Sequence, residues 1–224
     1  MIWTRERFES IERRRVGRRS MVKPEVWSAD DPSGRVAVKD SSQVRNGFRW
    51  LGRYLVRREP RALRRLVGMK GVPQFQGMLD RDAFACSWLD GGTFDLDGFE
   101  QDPRGIARQM RCMVEEMHGH GVFHLDLRQR QNLLLTSDGE LAFVDFGAAV
   151  VLRPWVHTVL GRFFAWIDHQ AVCKWVARFA PEELSRAEAR TIVNARWWRQ
   201  IWFLSPHKDR GELAVAKARL ESGN

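Results

Sequence analysis

The chain has little of what would staple, thread or anchor a fold. Three of its 224 residues are cysteine. Cys86, Cys112 and Cys173 are widely spaced and form no C-x-x-C pair. That argues against a disulfide framework and a thiolate zinc site, and fits a reducing compartment. No run reaches the ~18 apolar residues needed to span a bilayer. The nearest candidate, Trp155 to Ile167, is short and is interrupted by His157 and Arg162. Residues 1–7 lack the continuous apolar core of a signal peptide. The expectation is a cytoplasmic chain that is not an integral membrane protein. Internal repeats and low-complexity segments are absent. His118, His120, His157 and His169 show no metal-ligand spacing and read as structural or surface residues.

Acids are also in short supply. Lys+Arg total 37 against 28 Asp+Glu, a formal charge of +9 that points to a polyanionic partner or surface. Tyrosine occurs once, whereas ten tryptophans occur, several beside arginine. With 44% hydrophobic and 29% charged residues, the composition is that of a globular chain rather than a disordered one. The length suits one compact domain or two small lobes sharing a cleft.

Turn signals and alternation dominate residues 10–40. Val22 to Ser28 reads as a strand, Asp30 to Gly34 as a hairpin turn, and Arg35 to Lys39 as the returning strand. Residues 45–69 are helical in character, and Phe84 to Leu89 form another short apolar strand ended by Asp90-Gly91-Gly92. The clearest helix covers 103–118. Asp102 is its N-cap, Pro103 its first residue, and Ile106, Met110, Met113, Val114 and Met117 recur on one face. Asn132–Thr136 and Glu140–Val144 then flank Asp138-Gly139, a hairpin signal. Beyond residue 150 the chain is mostly helical and aromatic. This order predicts a small β-rich lobe, a connector and a mostly helical lobe.

Residues 124–147 concentrate hard oxygen donors. His124-Leu125-Asp126 precedes Asn132, and the hairpin delivers Asp145-Phe146-Gly147 to the same cleft. Carboxylates and amide oxygens are the ligands Mg²⁺ takes when it also binds substrate phosphates. Taken singly, Asp126 reads as a helix cap and Asp145-Phe-Gly as a tight turn. The ordered set, with Lys39 on an apolar strand and a Gly-Gly connector, points to a site instead.

In this order the motifs resemble the protein-kinase-like superfamily from residue 10 to about 150. Val36-Ala37-Val38-Lys39 resembles the strand carrying the phosphate-binding Lys. Glu59 stands for its ion-pair partner, and Cys86 to Gly92 for the connector that hydrogen-bonds adenine. His124-Leu-Asp126 stands for the catalytic loop, Asn132 for the metal-binding Asn, and Asp145-Phe-Gly147 for the metal-binding triplet. The resemblance implies an α+β, bilobal kinase-like fold: residues 1–86 as N-lobe, 87–92 as connector and 93–224 as a short C-lobe. It implies ATP and Mg²⁺ as cofactors. Asp126 would accept the proton of the attacking hydroxyl, and Arg128 would stabilise charge on the transferring group. Gly17, Ala37, Lys39, Glu59, Ser87, Leu89 and Leu134 would bind the nucleotide, and Asn132 and Asp145 the metal.

The sequence also departs from the family pattern. The phosphate-covering loop, Arg13 to Ser20, offers the single glycine Gly17. Leu125 replaces the Arg of His-Arg-Asp, so a phosphorylated activation loop would lack its usual partner. Asn132 falls six residues after Asp126 rather than five, which requires the loop to bulge. Pro60 directly follows Glu59, which would place a helix start near the ion pair. No Ala-Pro-Glu motif follows Gly147. Such omissions resemble RIO-type kinases and the lipopolysaccharide-core sugar kinases. Asp168 reads either as the buried acid that braces a kinase catalytic loop or as a helix-surface residue.

Between residues 45 and 70 nine Arg/Lys face one acid, Glu59, and six arginines from Arg45 to Arg65 recur every four residues. Such steps drift by ~40° each around a helix, giving an inclined basic ridge with Trp50, Leu51, Tyr54 and Leu55 as its apolar side. Residues 192–204 repeat the aromatic-basic theme and read either as a helix at a lipid interface or, the favoured reading, as C-lobe core with Trp202 and Phe203 packed inside. The expected acceptor is a hydroxyl on an anionic glycan or lipid, met at an anionic membrane surface. The alternatives are a minimal Ser/Thr protein kinase or a catalytically vestigial binding module. A nucleic-acid partner is less favoured.

Overall fold

Alternation of apolar and charged residues builds the first sheet. The computed structural model describes residues 3–17, 23–32, 34–93, 102–195 and 211–222. Strands β1 (Arg13–Val16), β2 (Glu25–Asp31), β3 (Gly34–Asp40), β4 (Phe75–Met78) and β5 (Ala83–Ser87) pair antiparallel in the order β1-β2-β3-β5-β4. Successive side chains on a strand face opposite sides. Val36 and Val38 therefore share one face with Ala83 and Ala85, and a short helix α1 (Arg5–Ser10) caps that face with Trp3 and Phe8. Ala37 and Lys39 take the other face, where Ala37 packs on the main core.

The hairpin is tighter than the sequence suggests. Its strands end at Asp31 and restart at Gly34, and the carboxylates that read as turn residues have partners. Arg7 binds Asp31 at 2.5 Å and Arg35 binds Asp30 at 2.8 Å. Arg18, Arg19, Ser20 and Val22, assigned above to a phosphate loop and strand, lie outside the described residues.

Helix α2 (Arg49–Arg65) follows a single 3-10 turn over Asn46–Phe48. It runs straight through Pro60, so Pro60 neither divides the segment nor starts a helix. Glu59 sits well inside it. Its buried side is Gly52, Val56, Glu59, Pro60, Ala62 and Leu63, whereas Trp50 and Tyr54 are 69% and 52% exposed. The apolar side expected at Trp50 and Tyr54 is thus the outer one. The Arg ridge is also interrupted, since Arg53 binds Asp82 at 2.6 Å.

Helix α3 (Pro103–Gly119) forms as its signals predict. The Asp102 carboxylate accepts the Gly105 amide at 2.8 Å, and the five apolar residues named above are buried. Strand β6 (Gly91–Thr93) pairs with β8 (Leu133–Thr136), which pairs with β9 (Leu141–Phe143); β7 (Val122–Phe123) pairs with β10 (Val150–Val151). Helices α4 (Pro154–Phe179), α5 (Arg186–Asn194) and α6 (Glu212–Glu221) complete the described chain. Ser185 and Glu188 form a reciprocal cap on α5, and Arg111 of α3 clamps Glu188 at 2.8 Å.

One apolar core joins the sheet to the helices. Leu63 of α2, Leu66 just after it and Phe84 of β5 belong to the same cluster as Met117, Phe143 and Trp175. No helix among the described residues is long and apolar enough to cross a membrane. Residues 196–204, including Trp202 and Phe203, lie outside the described residues.

Candidate active site

Lys39 is the hub of the site. Pairing of β3 with β2 and β5 sets it opposite Val26 and Phe84, at the sheet end where Gly17 follows β1 with a φ of 81°. Its Nζ donates to Glu59 Oε2 at 2.7 Å and to Asp145 Oδ1 at 2.7 Å. Three separate elements, β3, α2 and the turn after β9, thus meet at one ammonium. Burial alone would lower the Lys39 pKa, but the Glu59 and Asp145 carboxylates outweigh it and hold the ammonium charged. Burial pushes Glu59 up against the pull of Lys39. Lys39 draws Asp145 down to about 2.

Glu59 also reaches the turn. Its Oε1 accepts the Phe146 amide at 3.2 Å, which locks the residue after Asp145 to α2. Arg58 adds a second lock that sequence reasoning missed. Its Nε and a terminal nitrogen donate to the Ala149 and Ala148 carbonyls, both at 2.8 Å.

Asp145 and Leu125 are the two non-glycine residues with left-handed backbone among the described residues, each at φ 64°. Such conformations cost on the order of 1–3 kcal/mol and persist where the surroundings enforce them. At Leu125 the enforcement comes from Asp168, which is 1% exposed. Its carboxylate accepts the His124 amide at 2.8 Å and the Leu125 amide at 2.7 Å, and lies 3.1 Å from His118 Nε2. Asp168 is therefore the bracing acid and not a surface residue, and His118 shares in the brace. Two more residues of α4 hold the loop: Trp175 donates to the Leu127 carbonyl and Lys174 to the Arg128 carbonyl, both at 2.8 Å. Asp168 and Trp175 lie seven residues apart, two helical turns, so one face of α4 carries the brace.

His124 is buried, and burial lowers its pKa, so the neutral ring donates from Nε2 to the Val144 carbonyl at 3.1 Å. The six-residue spacing to Asn132 is absorbed by a 3-10 turn over Arg130–Asn132. Asn132 Nδ2 then donates to both the Asp126 carbonyl and Asp126 Oδ2, at 2.9 and 3.0 Å. Burial raises the Asp126 pKa, with the Asn132 bond opposing it.

The donor set suits a divalent cation. Asn132 Oδ1 is buried and accepts no hydrogen bond, although its amide nitrogen is fully engaged. An orphan buried oxygen of this kind calls for a ligand. The Asn132 carbonyl accepts the Val144 amide at 3.0 Å, which sets Asn132 beside the residue preceding Asp145.

The connector has a divided set of donors. The Ser87 amide is bound to the Gln74 carbonyl at 2.8 Å, its hydroxyl accepts the Gln74 amide, and the Trp88 amide donates to Arg35. Leu89 makes no backbone hydrogen bond among the described residues. Leu134 lies on β8 opposite Thr93, and Ala37 on the Lys39 face of β3.

Together these elements make an α+β, kinase-like fold. No protein-family model matches the chain. It is 31% identical over 124 residues to 3-phosphoinositide-dependent protein kinase 1 of Arabidopsis thaliana, covering 52% of this chain and 24% of the relative. It is 29% identical over 141 residues to CBL-interacting serine/threonine-protein kinase 16 of the same plant, covering 58% and 28%. A cAMP-dependent protein kinase catalytic subunit-like protein of Caenorhabditis elegans is 30% identical over 95 residues, covering 42% and 20%. The chain spans about a quarter of the length of these curated relatives.

Proposed function

We propose that the protein is an ATP-dependent kinase that transfers a phosphoryl group to a hydroxyl. The observation that carries this reading is the contact of Lys39 with both Glu59 and Asp145, each at 2.7 Å, beside the unpartnered Asn132 oxygen. In phosphoryl transfer the protein mainly positions groups and neutralises charge. Lys39 holds the α/β-phosphates and Glu59 orients it. Gly17 lets the backbone approach the phosphates, Ala37 and Leu134 flank the adenine, and the connector at Ser87 and Leu89 reads its edge. Asn132 and Asp145 hold Mg²⁺, which supplies charge neutralisation for the phosphate oxygens when bound. Asp126 accepts the proton of the attacking hydroxyl, and Arg128 stabilises charge on the transferring group.

We assign the acceptor to an anionic, membrane-associated glycan or lipid, with the enzyme peripheral on the inner face of the membrane. Support comes from the short path after the site. Residues 148–153 alone separate Gly147 from α4, which leaves little platform for a peptide. The departures at Leu125 and after Gly147 resemble the core-saccharide kinases in the same sense. A Ser/Thr protein acceptor is the second reading, and the names of the relatives favour it.

Mg-ATP should raise the melting temperature by mass action, and Asp145→Ala should lose the metal-dependent part of that shift. Mass spectrometry of extracts treated with intact protein or Asp126→Asn then identifies the acceptor. A flat melting curve with saturating Mg-ATP would overturn the kinase reading. Phosphorylation of defined Ser or Thr residues alone would replace the glycan or lipid reading by the second one.

A further inference from the structure

The large apolar side chains left exposed are not scattered. Seven of the eight found among the described residues lie on two stretches, residues 48–54 at the start of α2 and 155–163 on the first half of α4. Trp155, Val159 and Phe163 recur every four residues and are 70%, 74% and 48% exposed. They make a stripe about 12 Å long on α4. Single exposed apolar residues are ordinary, but a contiguous stripe marks a docking face.

The charge along both stretches of sequence is mostly of one sign, Asp82 being engaged by Arg53. Between Asp145 and Asp168 no acid occurs, while Arg153 and Arg162 do. Between Asp40 and Asp80 the single acid is Glu59, which is buried against Lys39. Arg57, Arg61 and Arg65 are exposed on α2.

Both stretches border the same piece of chain. Arg58 of α2 holds the carbonyls of Ala148 and Ala149, and α4 begins three residues after β10. The aromatic and basic faces therefore flank the residues that leave the candidate site.

We propose that these faces of α2 and α4 dock on an anionic lipid bilayer, with aromatic and aliphatic side chains at the headgroup level and arginines toward the headgroup charges. Tryptophan and tyrosine favour that interface, and a basic amphipathic face binds it through apolar burial plus charge. A second copy would bring the same arginines against these, and like charges oppose that contact. The aromatic members suit bases as well as lipid, and the aliphatic Val159 and Leu160 among them favour lipid. The orientation toward an acceptor rests on the kinase reading above; the docking surface itself does not.

The test is co-sedimentation with vesicles of phosphatidylcholine alone or mixed with phosphatidylserine. Wild type should partition onto the anionic vesicles and leave them as salt rises. Trp155→Asp combined with Val159→Asp, and separately Arg57→Glu combined with Arg61→Glu, should each lower the partition coefficient by at least about tenfold. The Mg-ATP melting shift should survive in both. Should the Asp pair fail to fold, quenching of tryptophan fluorescence by brominated lipid, reduced in Trp155→Phe, reports the same contact. Equal partitioning of variants and wild type, or of wild type onto neutral and anionic vesicles, would overturn the proposal. So would a dimer in solution that Trp155→Asp dissolves. Vesicle binding without any Mg-ATP shift would uphold the surface and remove the kinase reading instead.

Discussion

Asp168 Oδ1 accepts the Leu125 amide at 2.7 Å, so a helix forty-three residues downstream fixes a left-handed backbone in the loop before Asp126. Removing that carboxylate leaves the buried His124 amide and the half-buried Leu125 amide unpaired, and an unpaired buried donor costs about 1–3 kcal/mol. Asp168→Ala should therefore destabilise the protein by about 2–5 kcal/mol in urea unfolding. It should lower kcat in whatever folds, because Leu125 is no longer held. Wild-type stability in this variant would mean that the loop is set elsewhere.

Arg58 is a positioning residue by geometry: it touches the Ala148 and Ala149 carbonyls and none of the groups assigned to nucleotide. With Leu125 in place of the phosphate-sensing Arg, this clamp offers order without phosphorylation. Arg58→Met should lower kcat about tenfold while the Kd for Mg-ATP changes less than about twofold. Arg58→Lys should restore part of the loss. Phosphatase treatment of wild type should leave activity unchanged, and its loss on such treatment would remove this role.

The Lys39–Asp145 contact gives stability a defined acid limit. Asp145 is depressed to about 2 by Lys39, below the unfolded value of about 3.9. A depressed carboxylate stabilises the fold above its unfolded pKa, and that contribution disappears as pH falls through the folded one. The difference in melting temperature between wild type and Asp145→Asn should be constant above about pH 5 and shrink between about pH 4 and 2. A difference that ignores pH would show that Asp145 does not titrate against Lys39.

Asp126 shifts the opposite way. Burial raises its pKa, and only the ionised carboxylate accepts a proton. The acid limb of the pH–kcat profile should then lie above the ordinary Asp value of about 3.9. A limb at or below that value would move the proton acceptor to another group.

Much of this arrangement is legible in the residues themselves. Asp102, Pro103 and the apolar recurrence from Ile106 to Met117 encode α3 locally, because caps and periodicity are short-range signals. The Asp138-Gly139 hairpin is local in the same way, with Gly139 at φ 77°. Pro60 misleads because its effect depends on packing: the turn it sits in is buried against the core, which holds the helix together despite the missing amide. Trp50 and Tyr54 mislead because aromatic residues carry no sign of which helix face meets the core. Asp168, Lys174 and Trp175 brace the loop through contacts more than forty residues apart, a separation no local pattern encodes.

The shared core has a further consequence. Leu63, Leu66 and Phe84 belong to one continuous cluster with side chains contributed by α3, β9 and α4. Severing the chain at the connector would leave two fragments, each with half an interior and a raw apolar wall. The sheet and the helices thus fold as one interior and not as two.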